Sequence, residues 1–489
     1  MTPDLTVGLG EARVVVAGLG VTGRAVADAL AGRVRSLVTV DTRAEGADVR
    51  DADDPRRAAE VVAAADLVVA SPGWPPSSPL LAAAAESGVP VWSEVELAWR
   101  LRTDRGPADD GAARGPAPWL GVTGTNGKTT TVEMLASILG AAGLRTAAVG
   151  NVGAPLVAAA LDPSYDVLAV ELSSFQLHFT GTTSFEAAAV LNLAPDHLDW
   201  HGSFEAYARD KGRILDRVQV ACVYNVADPA TRELVEEADV VEGARAVGCT
   251  LGAPALGQVG VVEDVLVDRA FHAASGTREH RTHATELATL ADLAHLAPPG
   301  APPAPHVVAD ALAAAALARA HGVPAVAVRD GLRAFRPGAH RIALVRELGG
   351  VSYVDDSKAT NAHAAAASLG ACAAGTVVWV AGGLAKGASF DELVSGQADR
   401  LRAAVLIGAD PAPLRDALAR HAPQVPVVVV DPGDTGSVMR RAVAAAQGLA
   451  REGDTVLLAP AGASMDQFAS YARRGEAFAT AVQELTGTP

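Results

Sequence analysis

The sequence predicts an α/β protein of three domains, each built on a mainly parallel sheet. Three observations predict it. Short apolar runs of strand length alternate with helical patterns along most of the chain. Two glycine-rich loops each stand between an apolar run and a helix start. A Gly/Pro/Ala/Asp-rich stretch at 103–118 and the break at Arg336-Pro-Gly338 interrupt the alternation, and 489 residues are long for one hydrophobic core.

In the first domain, 1–105, the runs at 14–17, 37–40 and 67–70 read as buried strands, and 22–32 and 79–87 as helices. Residues 106–117 lack periodicity and read as a linker. The central domain, 118–337, opens with a strand at 119–122 and a helix from Gly127 onward, and continues with strands at 167–170 and 187–191. Residues 250–305 read as irregular and end in a Pro-rich segment. An Ala-rich helix at 306–321 follows. The last domain, 338–489, carries strands at 342–346, 377–381, 404–407, 426–430 and 455–459, with helices between them. No repeat of solenoid period is visible.

Bulk composition narrows the function. Hydrophobic residues make up 49% and charged residues 20%, as in a globular protein. A net charge of −16 argues against general binding to nucleic acid or to an acidic membrane surface. Cys222, Cys249 and Cys372 lie far apart in sequence, so neither a disulfide framework nor a zinc cluster is expected. The start Met-Thr-Pro-Asp-Leu lacks the pattern of a signal peptide, and no apolar stretch is long enough to span a bilayer. The cytoplasm is the expected location, and nothing requires an oligomer. Lysine and arginine total 40, yet the only lysines are Lys128, Lys211, Lys358 and Lys386. In so Arg-biased a chain, each lysine marks a position where a primary amine is needed.

The glycine loops come next. Gly18-Leu-Gly-Val-Thr-Gly23 follows the first strand and opens a helix, with Asp41 closing the second strand. This is a dinucleotide fingerprint and predicts a Rossmann-like first domain; alone it would indicate a nicotinamide-dependent dehydrogenase. Gly124-Thr-Asn-Gly-Lys-Thr-Thr130 also joins a strand to a helix. Backbone N–H groups of Gly124, Thr125, Asn126 and Gly127 can cradle phosphates, Lys128 can reach the β/γ oxygens, and Thr129 can hold Mg²⁺, with Thr130 beside it. Val122 stands where the strict pattern has glycine, so this is a variant phosphate loop. It predicts ATP binding in a P-loop ATPase-type central domain.

The form Thr123-Gly-Thr-Asn-Gly-Lys-Thr-Thr130 resembles the phosphate loop of the Mur ligases, and further segments fit that family in order along the chain. Glu171-Leu-Ser-Ser-Phe-Gln176 and Asn192-Leu-Ala-Pro-Asp-His-Leu-Asp199 end successive strands, and Tyr207 leads to Lys211. The resemblance implies that Thr129 and Glu171 bind one Mg²⁺ and that His197 helps bind a second. It implies that Lys211 is carbamylated by CO₂ and supports that metal, which arginine could not do. In a last domain that is again Rossmann-like, it places Arg341 and Asp356 near ATP, and Lys358, Thr360 and Lys386 near the acyl acceptor and the incoming amino acid.

Within the family, Asp41-Thr42-Arg43, Thr22, Ser71 with Gly73, and Asn151 resemble the UDP-substrate contacts of the D-glutamate-adding branch. Ser464 and Tyr471 resemble its D-glutamate site. The implied partners are UDP-N-acetylmuramoyl-L-alanine, D-glutamate and ATP. The implied reaction is an acyl-phosphate route with Lys128 and two Mg²⁺ on the phosphoryl group, His197 as a proton acceptor, and domain closure. Other readings are another Mur-type or folylpolyglutamate-type ligase, a dehydrogenase using Gly18–Gly23, and a nucleotide-binding regulator. One departure stands out. Where the family carries His-Asn-x-x-Asn, this chain has His306-Val-Val-Ala-Asp310. Asp310 therefore occupies a position that the resemblance assigns to the adenine.

Overall fold

Three sheets carry the chain in a computed structural model that describes residues 5, 7–42, 44–52, 54–107, 114–274, 276–297, 302–338, 340–433 and 435–486. The first is wholly parallel. Its strands lie in the order Val49–Arg50, Ser36–Asp41, Arg13–Ala17, Leu67–Ala70, Val91–Ser93. Val14 to Ala17 and Leu67 to Ala70 are buried without alternation, because helices cover both faces of the middle strands.

The central sheet has nine strands. From one edge they run Ala148–Gly150, Leu168–Glu171, Trp119–Thr123, Ala187–Val190, Ala221–Asn225, Arg245–Cys249 and Gln258–Val262, all parallel. Val265–Asp268 and Thr285–Thr289 then add on antiparallel. This corrects the irregular reading of 250–305. Val262 pairs with Val265 across a two-residue turn, Glu263-Asp264, in which Glu263 has φ 57°. A hairpin turn without glycine or asparagine gives little sequence signal. The helix Pro305–Ala320 is buried along most of its length, and its alanines let it lie close to its neighbours. The helix Ala325–Ala334 packs on Lys128–Ala141 at Gly331, where an added Cβ would fall 2.3 Å from the Ile138 Cα.

The last sheet has six strands: Ala343–Leu348, Val351–Asp355, Thr455–Leu458, Val377–Gly382, Leu401–Ile407 and Val427–Val429. Only the first pair is antiparallel.

The chain divides into two compact units between Phe335 and Arg336. The first unit holds two sheets, and one short segment stitches them. Ser93 N donates to Phe179 O at 2.9 Å, and the hydroxyls of Ser93 and Thr180 are 2.8 Å apart. Glu94 accepts from Val157 N at 3.0 Å, and Glu96 from Gly181 N and Thr182 N at 2.8 and 2.9 Å. Both carboxylates are buried, and burial pushes Glu94 up to about 7. Among the described residues no helix is long and apolar enough to cross a membrane.

Candidate active site

Four adjacent parallel strands of the central sheet deliver the phosphate loop, Asn151, Glu171 and His197 at their carboxyl ends, where open α/β sheets hold ligands. Trp119–Thr123 leads into the phosphate loop. Gly127 caps the helix Lys128–Ala141 with φ 81°, and no side chain caps that helix. That left-handed backbone favours glycine, and an added Cβ at Gly127 would also have to displace the Asp310 side chain, whose Oδ1 it would meet at 2.3 Å. Thr125 N donates to Asn192 O at 2.9 Å, and Asn126 N to Asn192 Oδ1 at 2.9 Å. Asn192 Nδ2 donates back to Asn126 O at 3.1 Å. The segment after Ala187–Val190 thus shapes the loop.

The Lys128 amine donates to Gly124 O and Thr125 O at 2.9 and 2.8 Å, folded onto its own loop. Thr129 is buried and Thr130 half-buried at the helix start. Asp310 is buried, with its carboxylate against Gly127.

Glu171 ends the neighbouring strand and is 1% exposed. Its Oε1 accepts from Asn151 Nδ2 at 2.8 Å, while Oε2 is buried without a hydrogen-bond partner. Asn151, expected at the UDP substrate, thus holds a carboxylate of the site. His197 has φ 53° and stands edge-on to Phe175 with ring centroids 4.7 Å apart. Its backbone N–H donates to Asp196 Oδ1 at 2.9 Å.

Lys211 is 2% exposed. It comes from the helix Phe204–Gly212, and its amine donates to Gly124 O at 2.8 Å. Burial, with Lys128 adding to it, holds this amine well below the ordinary lysine range. Tyr207 from the same helix lies within 4.7 Å of the Lys211 amine, and its hydroxyl is 2.9 Å from the Thr125 hydroxyl. Among the described residues no three His, Cys, Asp or Glu side chains are grouped to hold a metal ion.

In the first sheet's domain, Asp41 accepts from Leu19 N at 2.7 Å and Ala44 N at 2.8 Å, so it braces the glycine loop. Gly18 has φ 95°, and the Ser71 hydroxyl donates to its carbonyl at 3.3 Å. Thr22 is half-buried on the helix Val21–Leu30, while Thr42 and Gly73 are exposed. Arg43 lies outside the described residues.

In the second unit, Thr360, Ser464 and Tyr471 line one cavity of about 250 Å³, together with Met465 and Ser470. The Lys358 amine stands 4.7 Å above the Tyr471 ring and 3.4 Å from its hydroxyl. Lys386 is exposed, with φ 49°, and is not among the lining residues. Arg341 is half-buried. Asp356 is buried, hydrogen-bonded by the Ser368 hydroxyl, and pushed up by burial to about 6.

Sequence reasoning missed Arg474, which is 1% exposed. Its guanidinium donates to Ser357 Oγ at 3.0 Å, Ser357 O at 2.9 Å and Gly462 O at 3.0 Å, and reaches Gly382 O at 3.5 Å. One side chain thereby ties together the three loops that carry Lys358, Lys386 and Ser464. In a chain rich in arginine, nothing in the sequence separates it from a surface cation.

Similarity to known proteins covers nearly the whole chain. Family models match for the Mur ligase MurD-like N-terminal domain over residues 12–93, the Mur ligase middle domain over 122–317, and the Mur ligase glutamate ligase domain over 340–462. The chain is 60% identical to the UDP-N-acetylmuramoylalanine--D-glutamate ligase of Streptomyces avermitilis, covering 96% of this chain and 98% of that one. It is 53% identical to the ligase of the same name from Thermobifida fusca, over 97% and 99%. Among solved structures, it is similar in fold to the UDP-N-acetylmuramate-alanine ligase of Thermotoga maritima, with a TM-score of 0.55 at 17% identity over 97% and 99% of the two chains.

Proposed function

The chain belongs to the Mur ligase family, within its UDP-N-acetylmuramoylalanine--D-glutamate ligases, and from that premise we propose that it uses ATP to join D-glutamate to UDP-N-acetylmuramoyl-L-alanine in peptidoglycan synthesis. The observation that carries the catalytic part of this reading is the Lys211 amine, buried against the phosphate loop on Gly124 O. A phosphate loop alone binds nucleotide. A buried, deprotonatable amine beside it supplies a site for a carbamate.

The reaction needs ATP because a carboxylate is inert to amines at neutral pH. The L-alanyl carboxylate attacks the γ-phosphorus, ADP leaves, and an acyl phosphate forms. The D-glutamate amine then attacks the acyl carbon, and phosphate leaves. Lys128 compensates charge on the phosphoryl oxygens from its place at the helix start. Asn192 takes the N–H groups of Thr125 and Asn126 and so holds the loop in shape, which leaves the other N–H groups of the loop and helix start to orient the phosphates. Thr360, Ser464 and Tyr471, with Lys358 above the ring, offer hydroxyls and a cation to a dicarboxylate.

The residues fit Mg²⁺. Glu171 keeps one buried carboxylate oxygen without a hydrogen-bond partner, and Thr129 brings a hydroxyl; hard oxygen ligands with substrate phosphates suit this ion. Thr129 and Glu171 would hold one ion, and His197 with carbamylated Lys211 the second. Bound Mg²⁺ supplies neutralisation of charge on the transferring phosphoryl group. For the carbamate, the neutral Lys211 amine attacks CO₂, an N–C bond forms and one proton is released.

One assay tests the reading. Phosphate release from ATP with UDP-N-acetylmuramoyl-L-alanine is expected to need D-glutamate. No release above background with any muramoyl nucleotide and amino acid would refute it.

Asp310 sets a second expectation. Its carboxylate stands against the phosphate loop, where a triphosphate would be repelled. Asp310→Asn should lower the KM for ATP about tenfold, or about 1.4 kcal/mol, with kcat little changed. An unchanged or raised KM would show that the carboxylate does not oppose the nucleotide.

A further inference from the structure

Glu171 and His197 each stand at the entry to a very short helix. Ser174–His178 begins just beyond Glu171, and Leu198–His201 takes His197 itself as its N-cap. Helices of a single turn are not stable alone, so their placement depends on what holds them. Each ends in a histidine, and both histidines meet one carboxylate. His178 Nδ1 lies 2.7 Å and His201 Nδ1 3.0 Å from Asp210 Oδ2.

Asp210 immediately precedes Lys211 on the helix Phe204–Gly212. Its Oδ2 faces both ring nitrogens, and a carboxylate only accepts hydrogen bonds. Both Nδ1 atoms therefore donate. Arg213 Nε adds a contact at 3.3 Å to Oδ1. The two short helices are also cross-linked directly. His201 Nε2 is 2.9 Å from the Ser174 hydroxyl, and the Phe175 ring stacks on His201 at 5.5 Å while standing edge-on to His197. Three segments bring Glu171, His197 and Lys211, and one buried carboxylate is common to all three.

We propose that Asp210 is a positioning residue for ligation: through His178 and His201 it fixes the segments carrying Glu171 and His197 relative to Lys211. It rests on the ligase reading for the reaction assayed, but not for the arrangement itself. An ordinary core carboxylate would contribute stability alone. A hub of this kind contributes geometry, and a displacement of about 1 Å in a reacting constellation costs up to ~100-fold in rate.

The test uses the full chain and two measurements. Hydrogen exchange is followed in wild type and Asp210→Asn. Amides of 174–178 and 198–202 should exchange at least about tenfold faster in the variant, while those of Lys128–Ala141 keep their rates. Kinetics then compare isosteres. Asparagine puts an amide near the Nδ1 position and glutamine puts one near Nε2. His178→Asn should keep kcat within about threefold, and His201→Asn, which also gives up the Nε2 contact to Ser174, should lose less than His201→Gln. His178→Gln, His201→Gln and Asp210→Asn should lose ~30-fold or more in kcat, with the KM for D-glutamate within about twofold. His178 is partly exposed, so its pair of variants should fold even where those of His201 do not. Unchanged exchange, equal losses in the asparagine and glutamine variants, or losses that track the urea midpoint would overturn the proposal. If wild type does not ligate, the ligase reading fails and the exchange result alone decides the hub.

Discussion

Lys211→Arg should reduce ligation at saturating substrates by at least ~100-fold, with the fold retained. The amine it replaces is buried against Gly124 O and is held well below the ordinary lysine range by burial and by Lys128. A neutral amine can take up CO₂ and become an anion. A guanidinium stays protonated, cannot form the carbamate, and leaves a fixed positive charge where the reading requires a negative one. Lys211→Ala separates lost charge from misfolding. It should be as inactive as the arginine variant, and a short carboxylic acid should restore part of its activity by occupying the vacated space. Near-wild-type phosphate release by Lys211→Arg would sink the carbamate.

The second large effect is expected at Arg474. Its guanidinium is buried, is lowered by burial to about 10, and makes its bonds to carbonyls and to the Ser357 hydroxyl. Arg474→Lys keeps a charge but loses the planar fork that reaches three loops at once. The KM for D-glutamate should rise at least about tenfold while the KM for the UDP-substrate stays within about twofold, as steady-state kinetics would read. Arg474→Ala should in addition lower stability by about 3–5 kcal/mol, because buried carbonyls lose their donors and a cavity opens. A KM for D-glutamate unchanged in the lysine variant would mean that the loops hold their places without it.

Much of the fold was legible because its signals are local. The apolar runs around Val14, Leu67 and Val377 are buried on both faces, so they read as strands without any tertiary knowledge. The phosphate loop and the Ala-rich helix Pro305–Ala320 were equally plain. The strands at 258–268 and 285–289 were not, because their pairing depends on a glycine-free turn and on a sheet edge that exists only once the parallel strands before them have assembled. At the candidate site the divide is similar. Lys128 stands out by its loop and Lys211 by the scarcity of lysine, while Glu171 and His197 are picked out by resemblance to the Mur ligases. The bond from Asn151 to Glu171, the bracing of the glycine loop by Asp41 and the placement of Asp310 against Gly127 have no such signal.

The sequence by itself therefore determined the class of protein, the order of its elements outside 250–305 and the candidate side chains for chemistry, because periodicity, glycine geometry and residue type are properties of short stretches. Only the tertiary structure decided which of those side chains are held and by what. Asp210 and Arg474 are ordinary residues in the sequence. Each acts by accepting from or donating to segments distant along the chain, and such a bond exists only once the sheets have brought those segments together.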